Sequence, residues 1–150
     1  FPQAIHFATH GFVRQDSVKA RSAGLVLSGA NIDPDGEGSY NSEGYLYAED
    51  IRELDLFACD LVVLSACSTA LSSNGSGQGE IIKAFKKAGV SKVIASSWAV
   101  PDECTALLMD HFYEYYLTGI SASEALAEAQ RKVAIRYPNV RDWGAFMVYQ

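Results

Sequence analysis

The sequence predicts an α/β domain built around a mostly parallel sheet, and three observations carry that prediction. The first is the run Leu61-Val62-Val63-Leu64, apolar throughout and half β-branched. A strand that alternates faces yet stays apolar is covered on both sides, as parallel strands are. The second is that short apolar runs take turns with longer segments of helical periodicity from there to the end of the chain. Right-handed crossovers turn such alternation into a parallel layer. The third is where two of the runs finish: 61–64 leads through Ser65-Ala66 into Cys67, and 4–9 (AIHFAT) leads into His10-Gly11. Open α/β sheets gather their reactive groups at the carboxyl ends of strands.

In order, the strand at 4–9 is followed by a polar connection over 12–22 that carries Arg14, Lys19 and Arg21. A short strand, AGLVL, is expected at 23–27, ending in Ser28-Gly29. Residues 31–44 combine Pro34, Gly36, Gly38 and Gly44 with Asp33, Asp35, Glu37 and Glu43, which predicts a long loop. The DPDGEG within it has neither the ligand spacing nor the closing bidentate Glu of an EF-hand. Tyr45-Leu46-Tyr47 reads as a strand and 48–54 as a short helix leading into the run at 61–64. Residues 72–79 (SSNGSGQG) are flexible by composition. Gly75, Gly77 and Gly79 lack both the G-K-[ST] ending of a phosphate loop and the dinucleotide spacing, so the segment is expected to shape a groove beside Cys67 or to rearrange on activation.

Ile81, Ile82, Phe85 and Ala88 share one face of a helix over 80–88, with Gly89 in the C′ position. Residues 92–97 (KVIASS) form the next strand, which exits through Trp98-Ala99-Val100. Pro101-Asp102 opens a helix over 103–117 that Gly119 stops. Ser121 and Glu124 make an S-x-x-E capping box at the head of a helix over 121–136, Pro138 ends it, and 143–149 reads as a last strand.

A chain of 150 residues is one domain long enough to bury a core. A net charge of −6 with no basic cluster argues against a nucleic-acid interface and is compatible with a basic substrate segment. No apolar run approaches membrane-spanning length, and no signal peptide opens the chain. Cys59, Cys67 and Cys104 are odd in number and lack metal-ligand spacing, which argues against a disulfide framework and for a reducing, cytoplasmic compartment. Cys59 and Cys104 fall in apolar patterns and read as filling. The chain starts in a strand without methionine, so a fragment of a longer protein, with strands or repeats upstream, is expected.

Cys67 alone is weak as a functional signal, because free cysteines are often buried. Two neighbouring strands ending at Cys67 and His10 would supply the minimum for thiolate nucleophilic catalysis. Counting two per pleat, His6 shares a face with His10, but it lies inside the strand, where a core role is expected. His111, beside Met109, Phe112 and Tyr113 on a helical pattern, reads as packing or surface. Gly11 has two readings, a simple turn or a backbone N–H brought close to an oxyanion. Asp102 also has two: a helix N-cap, the stronger, or an acid in a pocket to which Asp16, Asp33 or Asp35 are the other candidates. Trp98 is either a groove wall or a rim residue packed on the helix that follows.

HFATHG at 6–11, LVVLSACST at 61–69, GEIIKAFKKAGVSKVIASSWAVPD at 79–102 and the closing WGAFMVY at 143–149 together resemble a CHAT domain, from about residue 3 to the end of the chain. That family is caspase-like, is grouped with separases, metacaspases and gingipains, and is often fused to tetratricopeptide repeats. The resemblance implies a caspase-like three-layer α/β/α sandwich and a bacterial, cytoplasmic cysteine endopeptidase, with Cys67 as nucleophile and His10 as its acid–base partner. It implies an oxyanion hole from the backbone N–H groups of Gly11 and Cys67. It also implies a groove lined by Trp98, Ala99 and Val100, in which a substrate strand pairs with the backbone, and a role for Asp102 in recognising arginine or lysine at P1. No metal and no cofactor are implied. The implied partners are a protein substrate and a regulatory domain or effector, with 31–44 and 72–79 as the segments reshaped. The competing readings are a catalytically silent scaffold, disfavoured by the presence of both dyad residues, a nucleotide-binding domain, and a thiol redox protein, disfavoured by the lack of C-x-x-C.

Overall fold

A computed structural model of the chain describes residues 3–13, 23–30, 44–65 and 77–150. Within them the elements are β1 (Ala4–Phe7), β2 (His10–Val13), β3 (Ala23–Val26), β4 (Tyr45–Tyr47), α1 (Ala48–Arg52), β5 (Leu61–Leu64), α2 (Gly77–Lys87), β6 (Lys92–Ser96), α3 (Asp102–Tyr116), α4 (Ala122–Arg136) and β7 (Phe146–Tyr149), with a 3-10 turn at Val140–Asp142. The main sheet has the order β1-β5-β6-β7. Its first three strands are parallel and β7 closes it antiparallel. This is the mostly parallel α/β layer that the alternation predicts.

The faces sort by the two-residue period of a strand. Val62, Leu64, Val93 and Ala95 are buried on one side against Ile51 of α1 and Ile81 and Phe85 of α2. Leu61, Val63 and Ile94 are buried on the other against Leu108 and Phe112 of α3, Leu126 and Val133 of α4, and Phe146. Helices therefore cover both sides of the sheet, a sandwich compatible with the caspase-like architecture.

Several boundaries follow from local chemistry. Gly89 (φ +106) and Gly119 (φ +92) take the left-handed conformation that ends α2 and α3. At the head of α4, Glu124 N–H donates to Ser121 Oγ at 3.2 Å and Ser121 N–H donates to Glu124 Oε2 at 3.1 Å, the expected capping box.

Three expectations are corrected. The connection placed at 12–22 begins inside a strand: β2 pairs antiparallel with β3, His10 opposite Val26, and with β4 they form a second, three-stranded sheet. Four residues with a glycine among them show too little alternation to announce a strand. Gly77–Gly79 belong to the first turn of α2 rather than to a loop. Asp102 is not the N-cap of α3: Pro101 holds that position, the Thr105 N–H donates to its carbonyl at 3.0 Å, and no side chain caps the helix. Acidic residues are favoured both at the cap and in the first turn, so the sequence does not separate the two.

Cys59 and Cys104 are buried free thiols in the two opposite cores, as expected of filling. Burial first, then the carboxylates of Asp142 and Glu103, push the Cys104 thiol up from its ordinary value, away from the thiolate form. Cys67, Arg14, Lys19, Arg21, Asp16, Asp33, Asp35 and Gly75 lie outside the described residues. Among the described residues no helix is long and apolar enough to cross a membrane, and no group of His, Cys, Asp and Glu is placed to hold a metal ion.

Candidate active site

β1 and β5 are parallel and in register from Ala4 opposite Leu61 to Phe7 opposite Leu64, so their carboxyl ends open at the same level. Ala8, Thr9 and His10 leave one strand there and Ser65 leaves the other. Over the gap lies α3, which presents Asp102, Thr105, Ala106 and Met109 at the i, i+3, i+4, i+7 spacing of one helical face. With His6, these residues line an open cleft of about 380 Å³.

The corner between β1 and β2 is pinned by the Thr9 hydroxyl, which donates to the Val26 carbonyl. His10 follows directly, exposed, its imidazole lining the cleft without a hydrogen bond to any described residue. In the sequence Cys67 follows Ser65 by two positions.

His6 is not the core residue that its place in the strand suggests. Among the described residues β1 is an edge strand, and the His6 ring stands at the cleft instead of in packed side chains. Its Nε2 is 2.7 Å from Ser65 Oγ and its Nδ1 is 3.1 Å from the Tyr113 hydroxyl. The neighbouring atoms strip water from the ring and lower its pKa below the ordinary histidine value. The unfolded chain then takes up the proton first as pH falls through about 6.5. Stability linked to His6 is thus complete above that pH and is lost on the acid side, down to the lower folded value. Among the described residues, Tyr113, His10 and Asp102 are the other titratable groups around this cleft. Urea midpoints should fall from pH 7.5 to pH 5.5 more steeply for the natural protein than for His6→Gln, and equal slopes would contradict the linkage. Solvent at the exposed edge of the ring keeps the effect small.

The α3 wall supplies two polar groups. Asp102 is exposed and makes no ion pair among the described residues. The Thr105 hydroxyl is buried, with the residue 8% exposed, and has no hydrogen-bond partner among the described residues.

Among the described sequence candidates, the structure brings His6, His10 and Asp102 to one cleft but not Gly11, Trp98, Ala99, Val100 or His111. Gly11 is buried in β2 opposite Leu25, adjoining His10 but not lining the cleft. Trp98, Ala99 and Val100 leave β6 at the same end of the sheet. Trp98 Nε1–H donates to the Arg141 carbonyl at 2.9 Å, Val100 is buried in the α3–α4 core, and Ala99 is exposed. His111 lies on α3, its Nδ1 3.2 Å from Glu114 Oε2. Sequence reasoning missed Ser65, Thr105 and Tyr113. Thr105 was findable as the i+3 neighbour of Asp102; Tyr113 gave no local signal.

The family model of the CHAT domain matches residues 2–150. Among curated proteins the chain is similar to Tetratricopeptide repeat protein 28 of Homo sapiens, 28% identical over 180 aligned residues. The alignment covers 97% of this chain, which spans about 7% of the length of that relative.

Proposed function

This chain belongs to the CHAT domain family, and from that premise we propose that it is the catalytic domain of a cysteine endopeptidase that uses Cys67 and His10 and cleaves after a basic residue. One observation carries the reading. His10 from β2 and Asp102 from α3 line a single open cleft at the carboxyl end of β5, the strand whose continuation in sequence is Cys67.

In this mechanism the Cys67 thiolate attacks the scissile carbonyl carbon, and the backbone N–H groups of Gly11 and Cys67 receive the developing oxyanion. His10 gives a proton to the leaving amine as the thioester forms. It then takes a proton from the water that hydrolyses the thioester, which returns Cys67 to the start. Trp98-Ala99-Val100 offers backbone at the far side of the sheet edge for an extended substrate. The exposed carboxylate of Asp102 and the Thr105 hydroxyl, unpartnered among the described residues, suit the cationic tip of a lysine or arginine side chain. The repeat-protein name of the human relative supports a setting in which a repeat domain or effector switches the activity on. The buried free thiols Cys59 and Cys104 support a cytoplasmic one.

The test is labelling of the full-length protein by a peptidyl electrophile with arginine at P1, beside one with aspartate. The arginine probe should modify Cys67 faster, and Cys67→Ala should abolish the adduct. Asp102→Asn should narrow the arginine preference by roughly 10-fold, the effect of removing one charge at a partly solvated site. An unlabelled protein, with candidate effectors supplied, would instead favour a binding scaffold on the same fold.

A further inference from the structure

We propose that Tyr113, His6 and Ser65 form a strut that fixes the carboxyl end of β5, with His6 as a positioning residue for the segment that leads to Cys67. The proposal rests on the peptidase reading above. Ser65 is tied to β1 by its N–H, which donates to the Phe7 carbonyl at 3.1 Å, and by its hydroxyl, 3.4 Å from the same oxygen. His6 Nε2 meets that hydroxyl at 2.7 Å, and Tyr113 O–H meets His6 Nδ1 at 3.1 Å.

Counting protons gives the strut a direction. A neutral imidazole carries one N–H and one bare nitrogen, and the Ser65 hydroxyl has one proton to give. If that proton goes to Phe7, Ser65 must accept from Nε2–H, which leaves Nδ1 bare and ready to accept from Tyr113. Each of these hydrogen bonds is then made once, running from Tyr113 through His6 and Ser65 to the Phe7 carbonyl. The opposite tautomer takes the Ser65 proton for Nε2 and leaves the Phe7 carbonyl with the Ser65 N–H alone. Partial loss of hydration around the ring lowers the His6 pKa, which favours the neutral form that this arrangement uses.

The far end of the strut is also anchored. Phe112 is fully buried, stands edge-on to Tyr113 with ring centroids 5.1 Å apart, and stacks on Tyr116 at 5.4 Å. Tyr113 shares α3 with Asp102 and Thr105, so one helix carries the pocket wall and also fixes the strand end opposite it. Displacement of the strand end by about an ångström is enough to cost around 100-fold in rate.

The test measures turnover of an arginyl peptide by full-length protein carrying His6→Ala, His6→Gln, Ser65→Ala or Tyr113→Phe. His6→Ala and Ser65→Ala should lower kcat about 10- to 100-fold with KM within about two-fold. Tyr113→Phe, which keeps the ring and the fold, should lower it several-fold. His6→Gln should recover most of the loss, because the amide carries an acceptor for Tyr113 and a donor for Ser65. Should His6→Gln be as impaired as His6→Ala while Ser65→Ala is unaffected, His6 is a proton-transfer group and the strut is wrong. Wild-type rates in all four variants would also overturn it.

Absence of Cys67-dependent turnover in the unmutated protein would refute the peptidase reading, and the strut is then read from imidazole ¹⁵N signals. A protonated Nε2, with a bare Nδ1 signal that moves in Tyr113→Phe, supports it; a bare Nε2 overturns it.

Discussion

On the peptidase reading, His10→Ala in the full-length protein is expected to lower kcat on an arginyl peptide by about 10²- to 10⁴-fold, the usual contribution of a positioned acid–base group, and to leave thermal stability nearly unchanged. The stability half follows from what His10 touches. It is exposed at the first position of β2, and its ring makes no hydrogen bond with a described residue. Little that folds the chain is lost with it. The kinetic half follows from the cleft, where His10 stands across from α3 beside the end of β5. KM should move little, since Asp102 and Thr105 rather than His10 are the groups suited to hold the substrate side chain. Comparison with His6→Ala makes the assignment strict. A protein that tolerates loss of His10 and is silenced by loss of His6 in every form, glutamine included, would transfer the acid–base role to the wrong histidine for this mechanism.

Phe112→Ala destabilises the domain by about 3–5 kcal/mol, the range for removing a large buried aromatic ring. That is a large share of the 5–15 kcal/mol by which native domains are stable, and it should lower Tm by roughly 10 °C or more. Phe112 is fully buried between α3, α4 and the main sheet, against Leu108, Val133 and Phe146. It is also the ring on which Tyr113 and Tyr116 are arranged. Tyr113→Phe is the control: the side chain is half-buried and keeps its ring, so denaturant midpoints should separate the two variants clearly. Loss of under 1 kcal/mol on Phe112→Ala would mean that α3 is not seated on the sheet as described.

Legibility in the sequence followed the physics of each element. Leu61-Val62-Val63-Leu64 announced a central strand because all four side chains are buried, alternately against α1–α2 and α3–α4. Ser121 and Glu124 announced a helix start because capping is a contact between near neighbours. β2 stayed hidden because its partner β3 is separated from it by residues 14–22 and its own four residues include Gly11. Asp102 was read first as a cap because a cap and a first-turn acid look alike in sequence, and only the Pro101 carbonyl bond tells them apart. In the cleft, the strand-end rule pointed to His10, which stands at the first position of β2 rather than at the end of β1. It misplaced His6, because the rule assumes a covered strand and β1 is an edge among the described residues. Thr105 and Tyr113 entered through α3, whose placement over the sheet edge is a tertiary fact.

The bond between Tyr113 and His6 spans 107 residues, and that separation sets a clock during synthesis. At about 5–20 residues per second, the ribosome delivers the second partner roughly 5–20 s after the first. During that interval β1 has no helix across from it, and the strand end that leads to Cys67 lacks its outer brace. Nascent chains that stop short of α3 therefore carry His10 and Cys67 in their sequence without the helix wall of Asp102, Thr105, Ala106 and Met109 that completes the cleft.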